Sequence, residues 1–160
     1  MRFANSPGAG WRGLQPIVAT LGLALVANGV VGQVLAYFPA QWRRPEWEVA
    51  YYGEFSATLA LLVLGLVVLG ASALGSGRRS WAATVGVVCV GLACWSLYGS
   101  GLVALDLPLV FRAASSVGTV EQATGMRLVG IKGIALSALY GTGLLWMGAT
   151  LLGRSGRKTR

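Results

Sequence analysis

The sequence predicts an all-α integral membrane protein, a four-helix bundle with short interfacial helices in its two outer connections. Composition is the first observation behind this. Of 160 residues, 55% are apolar and 11% charged, against roughly 25% charged in a soluble domain, and the mean hydropathy is +0.66. Length is the second: four stretches reach the about 20 apolar residues that a helix needs to cross the hydrocarbon core. Pattern is the third. The stretches do not alternate, so they are not barrel strands. The 24 glycines keep no three-residue period, which excludes collagen. Two cysteines cannot make a disulfide scaffold. Four spans use up most of the chain, so residues 1–160 read as a single transmembrane domain.

The first span runs over about residues 15–38 without a formal charge. Its apolar run exceeds the 7–15 residues of a signal-peptide core, so it reads as retained. The second, about 55–75, and the third, about 81–104, are also uncharged. The fourth, about 128–152, carries only Lys132, close enough to its start to snorkel outward.

Basic residues orient these spans. Both termini and the link between spans two and three share one side. That side holds Arg2, Arg12, Arg78, Arg79, Arg154, Arg157, Lys158 and Arg160, and no acid. The other side holds Arg43, Arg44, Arg112, Arg127 and Lys132, together with every acid in the chain: Glu46, Glu48, Glu54, Asp106 and Glu121. Basic residues favour the cytoplasm. The expected location is a bacterial inner membrane with both termini cytoplasmic. The net charge of +8 is then explained by topology and anionic lipid, and no nucleic-acid partner is expected.

The connections follow. Gly75-Ser-Gly-Arg-Arg-Ser80 reads as a tight cytoplasmic hairpin. In the first outer connection Pro39 closes span one, and Pro45 suits the first turn of a short helix with Glu46 and Glu48 at its positive end. Trp47 and Tyr51 share a face four residues apart, and Trp42 and Tyr52 enlarge the aromatic cluster. Such residues anchor at the interface or offer a surface to a partner. In the second outer connection Asp106 and Pro108 read as a helix start, with Leu107 to Ser116 lying along or dipping into the membrane surface. Thr119-Val-Glu-Gln122 fits a capping box. Helix four is therefore expected to begin near Val120 and to stand above the bilayer.

Helices in lipid associate by close packing and hydrogen bonds. Candidate strips are Gly133, Ser137, Gly141 and Gly148 on span four, and Ala82, Gly86 and Ala93 on span three. Span two offers Ala71 and Gly75, and span one offers Asn28, Gly32 and Ala36. Asn28 and Gln33 are the strongest polar groups within a span. Interhelical hydrogen bonding is their commoner use; a ligand site is the alternative.

The chemistry is sparse. The chain has no histidine, hence none of the commonest general base or metal ligand. Cys89 and Cys94, five apart on one helix, diverge by roughly 140° and suit a disulfide poorly. No carboxylate lies within a span to carry protons. No catalytic residue, metal or cofactor is expected.

Two motifs carry a family resemblance. Pro45-Glu46-Trp47-Glu48, followed by Gly53 and a leucine-rich span, and Leu105-Asp106-Leu107-Pro108-Leu109 after span three, resemble the HpsJ-like four-span membrane proteins of cyanobacteria and other phototrophs. The stretch after Pro108 is less polar than that family's pattern. The resemblance implies a part in polysaccharide export or surface motility and no catalytic residues. From the residues themselves, the expected function is a non-catalytic accessory or scaffolding subunit of a larger membrane complex, with a photosynthetic or other electron-transfer complex as a reasonable host. Its expected partners are other integral membrane subunits and lipids, met through Trp42, Trp47, Tyr51, Tyr52, Gly133, Ser137 and Gly141. A small oligomeric transporter or lipid-handling protein built around Asn28 and Gln33 is the remaining alternative.

Overall fold

The computed structural model describes residues 9–37, 45–116 and 120–156. They form four helices: α1 (Ala9–Tyr37), α2 (Pro45–Ser76), α3 (Arg79–Ser116) and α4 (Val120–Gly156). Each contains a stretch long and apolar enough to cross a membrane: Gly13–Leu35, Thr58–Ser76, Arg79–Leu109 and Arg127–Gly156. The four-span, all-helical reading is therefore correct, and α4 starts at the residue its capping box indicated.

The two short interfacial helices are not separate elements. The residues after Pro45 are the first turns of α2, and Asp106 and Pro108 lie inside α3, which continues to Ser116. Each extra helix would create two new ends with four unsatisfied backbone groups apiece. An unbroken helix removes only one donor, at Pro108. At roughly 1.5 Å per residue, α3 and α4 are each about 55 Å long, well beyond a hydrocarbon core of about 30 Å. Their halves away from the Gly77 turn stay together: a Cβ on Gly130 would lie 3.4 Å from Leu107 Cδ1.

The helices form two hairpins. The α2–α3 link is as short as expected. Gly77 sits at φ +64°, a left-handed conformation that ends helices where a side chain would be strained. Ser76 Oγ donates to Ala73 O (2.9 Å) and accepts from the Arg78 N–H (3.2 Å). The Ala82 N–H then donates to Arg78 O (3.1 Å), opening α3.

α3 and α4 pack along their whole shared length, α1 packs along α2, and α2 also touches α3 and α4. Among the described residues α1 touches neither α3 nor α4. The core lies where α2, α3 and α4 meet, around Leu66, Leu69, Ala73, Val85, Cys89 and Leu144. Among the described residues α1 is thus a peripheral helix held by one neighbour.

Candidate functional site

The interior is built from backbone proximity. On α3 the buried positions Ala82, Gly86, Cys89, Ala93, Ser96 and Ser100 step by four and three residues in turn. On α4, Ser137, Gly141, Leu144, Gly148 and Leu151 do the same. This 3.5-residue repeat keeps one face of each helix on its partner over many turns. A Cβ on Gly148 would lie 2.9 Å from Gly86 O and 2.7 Å from Val90 Cγ2. One on Gly141 would meet Leu97 Cγ at 2.8 Å. Ser96 Oγ donates to Ser137 O across the interface (2.8 Å), and Ser100 Oγ donates back to Ser96 O (2.9 Å).

The strip chosen on α4 is therefore a packing strip. Gly133, Ser137 and Gly141 are buried, and the surface covering Ser137 and Gly141 is α3 of the same chain. A partner subunit does not reach them while the hairpin is closed. The α3 strip of Ala82, Gly86 and Ala93 is likewise buried as expected.

On the other hairpin only Gly32 of the expected strips is placed inward: it is half-buried, and a Cβ on it would lie 3.8 Å from Thr58 Cγ2 of α2, while the side chain of Ala36 lies outside the described ones. Asn28, Ala71 and Gly75 are exposed. α1 meets α2 through Gly22, Val26, Gly29 and Gln33. A Cβ on Gly65 would lie 2.9 Å from Val26 N and 3.0 Å from Gly22 O, and one on Gly29 would lie 2.7 Å from Leu62 Cγ. Span one carries glycines on more than one face, and in lipid no polar side tells which face turns inward.

The two polar groups of span one part company. Gln33 Nε2 donates to Thr58 Oγ1 on α2, while its Oε1 is buried without a partner. Asn28 lies on the opposite side of α1, exposed. They do not converge on a common ligand site. Cys89 is buried, Cys94 is exposed and both are free thiols, as their spacing suggested. Among the described residues no three His, Cys, Asp or Glu side chains gather to hold a metal. Asp106, Arg112, Arg127 and Lys132 are all exposed.

Trp42 lies outside the described residues. Trp47, Tyr51 and Tyr52 belong to the first turns of α2, but their side chains lie outside the described ones. Sequence reasoning missed a different aromatic surface. Opposite the α4-facing side of α3, Trp95 is 46% and Tyr98 63% exposed. Gly91 and Gly101 flank them, with open space where a Cβ would stand. Among the described residues neither the indole N–H nor the phenol hydroxyl has a hydrogen-bond partner. The available signal was a helical spacing of Gly91, Trp95, Tyr98 and Gly101 on the side away from Ala82, Gly86 and Ala93. Comparison with protein-family models, with curated proteins and with solved structures found no match.

Proposed function

We propose that this chain is a non-catalytic accessory or scaffolding subunit of a larger membrane complex, docking through the outer face of α3. The observation that supports this best is the pair Trp95 and Tyr98, turned outward in the span Arg79–Leu109. Tryptophan and tyrosine settle at the headgroup level when lipid alone is their neighbour. Trp95 stands about midway along the apolar run 81–104, well away from both headgroup levels. A polar donor in hydrocarbon without a partner is unfavourable by several kcal/mol, at roughly 4–8 in the extreme of a solvent that cannot hydrogen-bond. A neighbouring subunit with acceptors at that depth satisfies both donors. The open glycines on either side let a helix come close.

The reading includes an orientation. Both termini lie in the cytoplasm of a bacterial inner membrane, because eight basic residues stand on that side and five on the other. Reporter fusions at each terminus test it, and an exported terminus overturns it.

Purification in mild detergent tests the docking. The wild-type chain co-migrates with other membrane subunits. The variant Trp95→Leu/Tyr98→Leu inserts normally and loses them. Recovery of the wild-type chain free of other subunits, or unchanged recovery by the variant, overturns the reading. The eluate also names the host. A pigment-bearing or redox complex assigns the chain to electron transfer. An export assembly, together with loss of exopolysaccharide on deletion, assigns it to the envelope role that the HpsJ-like resemblance implies.

A further inference from the structure

The side of α1 turned away from α2 carries a second, independent pattern. Ile17, Leu21, Ala24, Asn28, Val31 and Leu35 are all exposed, with Ile17 64% and Leu35 76% so. Their spacings are four, three, four, three and four residues, the same 3.5-residue repeat that joins α3 to α4. Among the described residues nothing covers this seam, since α1 touches α2 alone. No charge falls on it, and one polar residue does: Asn28, near its middle, with no hydrogen-bond partner among the described residues.

We propose that this seam is a self-association surface, on which α1 of a second copy of this chain lies parallel, with the two Asn28 amides hydrogen-bonded to each other. A carboxamide carries both a donor and an acceptor, so two of them satisfy one another across a two-fold axis. Two copies inserted with the same topology hold Asn28 at the same depth without further adjustment. A helix of another subunit would need a matching polar group placed at that level. In the heptad frame that the spacing defines, Asn28 falls on an a position, with Ala24 and Val31 on the flanking d positions. A single asparagine at a fixes the register and favours two strands. Outside lipid such a residue lowers stability. Within it, the bare amide is the unfavourable state, so the pairing adds affinity as well as register.

This surface is on α1 and the docking surface proposed above is on α3, so the two fail separately. The test uses the full chain in vesicles of phosphatidylcholine and phosphatidylglycerol, with no other protein present. In a Cys94→Ala background, single cysteines at Ala24 or Val31, on the seam, cross-link into dimers under copper phenanthroline. Cysteines at Leu23 or Val30, equally exposed but off the seam, do not. Energy transfer between chains labelled at the C-terminus gives the affinity. Asn28→Leu, which keeps the volume and removes the amide, weakens association roughly three- to thirty-fold, the range of one interhelical hydrogen bond. Asn28→Gln, which keeps a donor and an acceptor, retains most of it. The proposal is overturned by a monomeric wild-type chain, by cross-linking that ignores the 3.5-residue period, or by Asn28→Leu matching wild type. Seam cysteines that cross-link only to a different protein in native membranes would assign α1 to another subunit instead, and would equally overturn it.

Discussion

Gly148 and Gly86 face one another so closely that a methyl group on Gly148 would stand 2.9 Å from the carbonyl oxygen of Gly86. Backbone meets backbone there, and neither can rotate away as a side chain can. Gly148→Ala should therefore separate α3 from α4. Overpacking of this kind is unfavourable by about 1–3 kcal/mol. Gly141→Ala should be milder, because its nearest obstacle is the Leu97 side chain at 2.8 Å, with the Ala93 carbonyl farther off at 3.4 Å. Gly143→Ala, with open space around it, serves as the control. Unfolding in graded detergent mixtures should rank Gly148 first, Gly141 second and Gly143 last; any other order contradicts the packing described.

The α1–α2 hairpin has a close backbone approach of the same kind. A Cβ on Gly65 would press on both Val26 N and Gly22 O. Among the described residues no other helix holds α1, so Gly65→Val should release α1 and leave the α2–α3–α4 core intact. Cysteines placed at Gln33 and Thr58 should form an intramolecular cross-link in the parent chain and lose it in the Gly65→Val chain. Resistance of the rest to protease should stay the same. Persistence of the cross-link would show that α1 is held by something other than this contact.

The Gln33–Thr58 pair gives an asymmetric expectation. Removing only Thr58 Oγ1, as Thr58→Val, leaves the Gln33 amide without its acceptor while its Oε1 is already unpartnered. A buried polar group so orphaned is unfavourable by about 1–3 kcal/mol. Replacing both, as Gln33→Leu/Thr58→Val, removes the orphan along with the bond. The double variant should therefore be more stable than Thr58→Val alone, by about 1 kcal/mol or more. Equal stability would mean that the amide finds another partner.

Thiol chemistry separates the cysteines. Cys89 is fully buried in the core and Cys94 is exposed. A membrane-permeant maleimide should modify Cys94 quickly and spare Cys89 until the chain is unfolded. Oxidation of the folded monomer should form no Cys89–Cys94 bond. Two equivalents of label on the folded chain would place α3 in a different rotation about its axis.

How much of the fold is legible in the sequence differs between the hairpins. For α3 and α4 the small residues lie along a single line, with Ala82, Gly86 and Ala93 on one helix and Gly133, Ser137, Gly141 and Gly148 on the other. That line is the interface, although the surface covering it is the chain's own and not a partner's. For α1 the expected strip is right at Gly32 and wrong at Asn28. Gly22, Gly29 and Gly32 all lie near α2, while Asn28, the polar residue, draws attention to the side that α2 leaves bare. Trp95 and Tyr98 are not legible as a surface from the sequence, because aromatic residues within an apolar run look like bulk until the opposite face is known to be occupied.

Hydropathy, helix punctuation and basic residues alone determine the number of spans, their limits to within a few residues and the tight turn at Gly77, because the absence of water in the bilayer forces every backbone bond into long uninterrupted helices. Which side of each helix meets a neighbour was decided only by tertiary packing. In hydrocarbon all sides of an apolar helix are equally soluble, so rotation about the axis is set by where backbones can touch and hydroxyls can bond, and those contacts join residues as distant in sequence as Ser96 and Ser137.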